Sequence, residues 1–387
     1  MLQTVQHSKN VSQTMQVPVN EPWLRGNEEK YVLECIRSGW ISSEGSFVKK
    51  FEESFAQSVD RAYGIAVSNG SVALDIAMQV LQIGEGDEVI LPTFTIISCA
   101  AAVVRAGAKP ILIDCDPITW NMQVAQIEAK ITPRTKAIMI VHIYGLPVDV
   151  APVLALAKKY NLFVIEDAAE MIGQDYKGKP CGSFGDVSTF SFYANKHITT
   201  GEGGMVVVND AALAERARAA RNLFFQPARR YVHEELGNNF RLTNVQAAIG
   251  LAQLERLPES IAKKRQIGKR YSLAFADLQE HLQLPLPQTD FAENIYWVYG
   301  IVVKNPKIKV SELLTALAMN GIGTRAFFWP MHLQPVFAKK GLFIGESYPE
   351  AEFIAQQGFY IPSGLALTEE QMDYVASTLR RLVYEYV

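Results

Sequence analysis

Cysteine is scarce in this chain: its 387 residues hold four, Cys35, Cys99, Cys115 and Cys181, all widely separated. No C-x-x-C and no pair of histidines at metal-ligand spacing occurs, so no metal site is expected and the thiols are expected to be reduced and structural. Long apolar runs are missing too. The longest, Ile96 to Val104, stops at Arg105 and is far too short to span a bilayer. The first stretch, MLQTVQHSKNVSQTMQ, lacks the apolar core of a signal peptide. A formal net charge of −3 leaves no electrostatic footprint for nucleic acid or an anionic membrane. Neither G-x-G-x-x-G nor G-x-x-x-x-G-K-[ST] is present, which weakens dinucleotide and P-loop readings. No repeat or low-complexity tract stands out. The expectation is a soluble, cytoplasmic protein with neither a nucleic-acid nor a membrane partner.

What the chain does have is regular alternation. Residues 1–16 are polar and are expected to form a flexible or partner-contacting tail. A helical pattern covers Glu28–Ser38. Strand and helix then trade places: strand Ala62–Val67, helix Ser71–Leu81, strand Glu88–Leu91, helix Thr95–Ala106, strand Pro110–Ile113, strand Ala137–Val141, helix Val150–Lys159, strand Leu162–Glu166, and on to helix Ala211–Arg221. Strands as apolar as AIMIV and LFVIE predict a mostly parallel sheet covered by helices on both faces, an α/β fold. Residues 17–263 are assigned to this large domain. From 264 to 387 the texture changes to mixed elements, with a strand expected over Ile295–Val303 and helices over Val310–Met319 and Thr368–Tyr384, and a smaller α+β domain is expected. The aromatic cluster at Phe327–Pro330 is read as core, with lining of a substrate site as the alternative.

In a parallel sheet the active site lies beyond the carboxyl ends of the strands, and three segments meet that condition. Val67-Ser-Asn-Gly-Ser71 is a strand that ends in a glycine turn and opens a helix. Its backbone N–H groups and the Ser71 hydroxyl would cradle a phosphate, although an ordinary serine N-cap reads the same way. Phe163–Glu170 ends an apolar strand on Asp167, which would either cap the next helix or pair with a buried cationic nitrogen. The third segment, VSTFSFYANKHITTGEGGMVVV, places Lys196 between two β-rich runs closed by Gly201, Gly203 and Gly204. A lone lysine there reads as a solvated loop residue. In company with a phosphate cradle and a strand-end carboxylate it reads as a Schiff-base lysine, and the three in this order describe a pyridoxal phosphate site.

The wording SNGSVAL, EDAAE and SFYANKHITTGEGGM resembles the DegT/StrS-type sugar-nucleotide aminotransferases of fold type I, and the likeness runs from about Val17 to the C-terminus. WISSEG, EDAAE and NKHITTGEGGM are most similar to the branch that aminates carbon 4 of GDP-4-keto-6-deoxymannose, the GDP-perosamine synthases. The resemblance implies a role for each position. Lys196 would hold pyridoxal 5'-phosphate covalently and shuttle a proton, and Asp167 would partner the pyridinium. Gly70, Ser71 and Ser191 would bind the phosphate, with Glu170 beside the cofactor. Asn239 would reach the phosphate from the neighbouring subunit, which implies a homodimer with shared active sites. His332 and Arg325 fall in the segment that approaches substrate in relatives; a surface histidine and a solvated arginine are the plainer readings.

One departure stands out. Relatives carry a stacking aromatic where this chain has Ile96, so either Ile96 forms an aliphatic lid or Phe94 compensates. The expected reaction passes an amino group from L-glutamate to a nucleotide-linked keto sugar. The alternatives are a UDP- or dTDP-linked substrate and, from another class, a cofactor-binding regulator without turnover.

Overall fold

The structure, a computed structural model, describes residues 15–225 and 229–387; the expected tail over 1–16 lies outside them except for Met15 and Gln16. Five apolar segments form parallel strands: β1 (Tyr63–Val67), β2 (Glu88–Pro92), β3 (Lys109–Ile113), β4 (Thr135–Val141) and β5 (Phe163–Asp167). A two-residue hairpin, β6 (Asp175–Tyr176) and β7 (Lys179–Pro180), follows. β8 (Val187–Ser191) and β9 (Gly204–Val208) then complete a seven-stranded sheet in the order β1-β9-β8-β5-β4-β2-β3. β9 runs against both its neighbours, and the other six strands point the same way. All six therefore deliver their carboxyl ends to one edge, where the loops that carry chemistry gather.

Alternation along each strand explains the layering. Ile65, Val67, Met139 and Val141 pack under helices Gly70–Val80, Ile97–Arg105 and Ala211–Arg221. Ala66, Ile138 and Ile140 pack on the other face with Phe51, Phe55 and Val153. Both faces are dry, which is why these strands read as unbroken apolar runs.

The smaller sheet is antiparallel, in the order β10-β11-β13-β12, from β10 (Leu282–Gln283), β11 (Tyr299–Val303), β12 (Arg325–Ala326) and β13 (Gly358–Ile361). Helix Glu369–Tyr386 closes its core. The boundary expected at 263/264 falls inside helix Leu257–Ala274 rather than in a linker. Val17 bridges to Ile322 and is buried in the small domain's core, so the chain starts its path there before entering the large domain.

The strand expected over Ile295–Val303 begins only at Tyr299. Tyr296 has φ +49° and donates its N–H to Asn294 Oδ1 at 2.6 Å, which turns the chain sharply just before Trp297. Gly145 is what lets this turn dock: a Cβ there would strike the Asn294 side chain and the Tyr296 backbone.

The two domains are fastened on one flank. Asp114, just past β3, accepts the N–H groups of Glu350 and Ala351 at the start of helix Pro349–Gln357. Among the described residues no helix is long and apolar enough to cross a membrane.

Candidate active site

A cavity of about 760 Å³ opens at the carboxyl edge of the large sheet, with Trp297, Phe328 and Tyr360 of the small domain as one wall. Asn69, Gly70, Ser71, Ile96, Asp167, Glu170, Ser191 and Lys196 all line it. Three segments far apart in the chain thus meet as their strand ends predict.

One end of the cavity is built by helix Gly70–Val80. Asn69 caps it by accepting the Val72 N–H at 3.0 Å, which leaves the Gly70 and Ser71 amides at the helix mouth. Ser71 and Ser98 share a hydroxyl hydrogen bond of 2.7 Å. A Cβ on Gly70 would lie 2.8 Å from the Ser191 Cβ, so glycine allows β8 to bring Ser191 against the helix end. Amides, three hydroxyls and the positive end of a helix dipole suit a dianion.

At the opposite end, Asp167 closes β5 and is buried. The Ala169 N–H reaches its Oδ1 at 3.1 Å and the Cys99 thiol reaches Oδ2 at 3.2 Å. Burial pushes the Asp167 pKa up, against the pull of these donors and of Lys196. Burial also keeps the Cys99 thiol far above its ordinary range, so it stays protonated and donates; Thr95 Oγ1, 3.4 Å from the sulfur, must then donate to it. A carboxylate with such sparse donors is suited to a cationic partner.

Glu170 sits between these ends. The Tyr144 N–H is 2.7 Å from its Oε2. Burial pushes its pKa up to about 8, with Lys196 and the Tyr144 N–H pulling the other way. Lys196 is lowered, by burial first, with Glu170 and Asp167 opposing. The loop that carries it is tied on three sides: Lys196 N–H to Tyr193 O, Asn20 Nδ2 to Ala194 O, and Trp297 Nε1 to Asn195 O at 3.0 Å.

Of the two ways to replace the missing aromatic, the geometry selects Ile96. It lines the cavity, whereas Phe94 is fully buried against Tyr144, Phe327 and Phe328. Within the aromatic cluster, Phe328 alone faces the cavity; Phe327 is core and Trp329 is exposed.

His332 does not reach the cavity. It is buried with one ring nitrogen at Thr93 Oγ1 (2.8 Å) and the other at Glu352 Oε1 (3.0 Å), so it serves the domain fastening. Arg325 is exposed on β12 beside Tyr360 and lies outside the lining. Asn239 is exposed and also lies outside its own chain's cavity.

Several lining residues escaped the sequence reading. Thr189 lies two residues before Ser191 on the same face of β8, and its buried hydroxyl has no partner among the described residues. Strand alternation from Ser191 would have found it. Trp297 and Tyr360 come from the other domain, and no local pattern marks them.

Glu166, one residue before Asp167, points to the opposite face. It accepts from His142 Nε2, the amides of Gly182, Phe184 and Gly185, and Ser188. His142 Nδ1 takes the Val148 N–H, so its proton is on Nε2. Donors saturate this buried carboxylate and its pKa falls despite burial. It holds the strand ends in place.

Similarity to known proteins agrees with this geometry. Residues 22–380 match the profile of the DegT/DnrJ/EryC1/StrS aminotransferase family. The chain is 44% identical to the GDP-perosamine synthase of Escherichia coli O157:H7, over 94% of this chain and 97% of that protein. It is 42% identical to that of Caulobacter vibrioides, over 96% and 100%. An aminotransferase from Psychrobacter cryohalolentis superposes with a TM-score of 0.89 at 30% identity, covering 95% of this chain and 98% of that one. DesV of S. venezuelae, solved in complex with a ketimine intermediate, gives 0.84 at 32%, covering 92% and 94%.

Proposed function

The chain belongs to the DegT/DnrJ/EryC1/StrS aminotransferase family, and from that premise we propose that it moves an amino group from L-glutamate to carbon 4 of GDP-4-keto-6-deoxy-D-mannose. The product would be GDP-perosamine, a nucleotide sugar for O-antigen lipopolysaccharide. The observation that carries the choice of substrate is the likeness to GDP-perosamine synthases over nearly the full length of both chains. The cofactor we assign is pyridoxal 5'-phosphate, linked to Lys196 as a Schiff base.

The residues fit that group. Its phosphate matches the Gly70–Ser71–Ser191 end of the cavity, and a ring nitrogen matches Asp167 at the other. The orphaned Thr189 hydroxyl lies between them on β8. Once bound, the cofactor supplies the aldehyde that carries the amino group and a ring that accepts the electron pair of the broken C–H bond.

The rest of the chemistry belongs to the chain. Burial lowers the Lys196 pKa, which favours the neutral Nζ that can add to a carbonyl or take a proton. Asp167 would hold the ring nitrogen and favour its protonated form by charge. Glu170 would take up or return a proton beside Lys196, since burial pushes its pKa up to about 8 while that of Lys196 is lowered. Trp297, Phe328 and Ile96 keep bulk water from the reacting atoms.

Exposure of Asn239, together with Tyr231 and Leu236 on the same segment, supports a homodimer in which this segment completes the neighbour's site. Four buried, unpaired cysteines support a reducing, cytoplasmic setting.

Absorbance of the purified protein tests the reading. A visible band that L-glutamate bleaches and GDP-4-keto-6-deoxymannose restores is the expected outcome. Bleaching without restoration keeps the aminotransferase and discards this sugar in favour of a UDP- or dTDP-linked one. A band that glutamate leaves untouched points to the regulator.

A further inference from the structure

Trp297 was singled out by no sequence motif, yet its indole is the surface on which the lysine amine rests. Lys196 Nζ sits 3.9 Å from the centroid of the Trp297 ring. Such an approach places an ammonium over the negative face of the most favourable of the aromatic side chains for this contact. The ring is 4% exposed and lines the cavity, so solvent screens the contact little.

The tryptophan is fixed from every side. Its Nε1–H donates to Asn195 O, the residue preceding Lys196, so ring and lysine loop move as one. Phe328 stacks at 6.4 Å and Tyr144 packs at 5.7 Å. Its carbonyl accepts from the buried Lys264 Nζ at 2.8 Å, and the same ammonium reaches Ser363 O at 2.6 Å. The strained left-handed turn at Tyr296 aims the side chain across the domain seam. A strained residue, a buried lysine and a cross-domain hydrogen bond together hold a single indole plane.

We propose that Trp297 is a further catalytic residue, whose indole face seats Nζ of Lys196 when that nitrogen is free of the cofactor and carries a proton. The charged groups facing Lys196 are Asp167 at the end of β5, Glu170 beyond it and Cys99 on helix Ile97–Arg105, with His197 adjoining in the loop. Asp167 and Glu170 favour the ammonium by charge, and the indole face adds to their effect. The indole face has no charge and no basic atom, and its Nε1–H is already given to Asn195 O, so it favours the ammonium without competing for the proton. It acts against the burial that otherwise drives the amine neutral. A proton that Lys196 takes from a carbon would thereby be held on Nζ until it is returned within the same half-reaction.

This inference rests on the cofactor assignment above, and the test separates the two. Apoprotein is mixed with pyridoxal 5'-phosphate, and the uptake rate is followed by absorbance across pH. Only the neutral amine reacts, so the midpoint reports the apparent titration of Lys196 together with its neighbour Glu170, and the cofactor's own titrations are common to all variants. Trp297→Leu is expected to move the midpoint down by about one pH unit, and Trp297→Phe by less. Uptake slowed at every pH with the wild-type midpoint in Trp297→Leu would mean a merely structural wall and overturn the proposal. Should the leucine variant not fold, a Trp297→Phe midpoint equal to wild type overturns it equally. Absence of uptake by the wild-type apoprotein would instead strike the cofactor assignment.

Discussion

Lys196 and Glu170 face each other in a buried cavity, and their protons cannot be assigned independently. Burial raises Glu170 from its ordinary 4.5 to about 8, so in the folded apoprotein the carboxyl holds a proton at neutral pH that the unfolded chain has given up. A group of this sign leaves stability intact below pH 4.5 and erodes it as pH rises toward 8, because the native state then binds more protons than the unfolded one. Glutamine keeps the shape and the acceptor for the Tyr144 amide but never ionises. Glu170→Gln apoprotein is therefore expected to match wild type near the acid end and to become more stable than wild type as pH rises, by roughly 1–3 kcal/mol at pH 8. Urea unfolding at about pH 5 and pH 8 measures this; a stability difference that is the same at both values would remove Glu170 from the proton inventory. Strand-end position drew attention to Lys196, and the family resemblance implied Glu170 beside it. Neither could say that burial would bring their pKa values together, because that depends on the small domain lying over them.

At the scale of elements, the approach between helix Gly70–Val80 and β8 would govern binding of the proposed cofactor's phosphate. Gly70→Ala would place a Cβ 2.8 Å from the Ser191 Cβ, backbone-mounted on both sides, so the helix end must back away from the strand. Loss of one charge-assisted hydrogen bond to the phosphate corresponds to ~1.5–3 kcal/mol, tenfold or more in affinity. Titrating the apoprotein with pyridoxamine phosphate should show that loss, whereas pyridoxamine without phosphate should bind alanine variant and wild type alike. Equal losses for both ligands would mean a general disturbance rather than a damaged cradle. This element was legible beforehand: strand, glycine turn and helix follow one another in sequence, and apolar strands buried on both faces leave little ambiguity. Legibility ended where contacts cross between domains. Ile295–Val303 is apolar and aromatic enough to read as one strand, but the Asn294–Tyr296 hydrogen bond and the docking of Gly145 break it, and Trp297 swings into the cavity as a result. His332 went the other way. Its sequence neighbourhood resembles a substrate-facing segment, yet Thr93 and Glu352 capture both ring nitrogens.

The whole molecule adds a question that one chain leaves open at Asn239. This residue is exposed and lies outside its own cavity, and Tyr231 and Leu236 beside it are 80% and 90% exposed. Large apolar side chains at that exposure, next to a residue whose expected role is to touch a phosphate, make sense if the segment is covered by a second copy. Each site would then take Lys196 from one subunit and Asn239 from the other. That arrangement has a consequence no monomeric site shares. Lys196→Ala lacks the reactive amine, and Asn239→Ala lacks the phosphate contact it lends to its neighbour, so each homodimer is expected to be strongly impaired. Unfolded together and refolded as a mixture, the two variants form hybrids in which one site inherits both defects and the other inherits neither. Random pairing makes half the dimers hybrid, so about a quarter of wild-type activity should return. Activity that stays at the sum of the separate variants would place Asn239 outside the shared site and leave the exposed apolar segment to some other contact. Recovery near a quarter would establish the dimer and the direction in which its residues are exchanged.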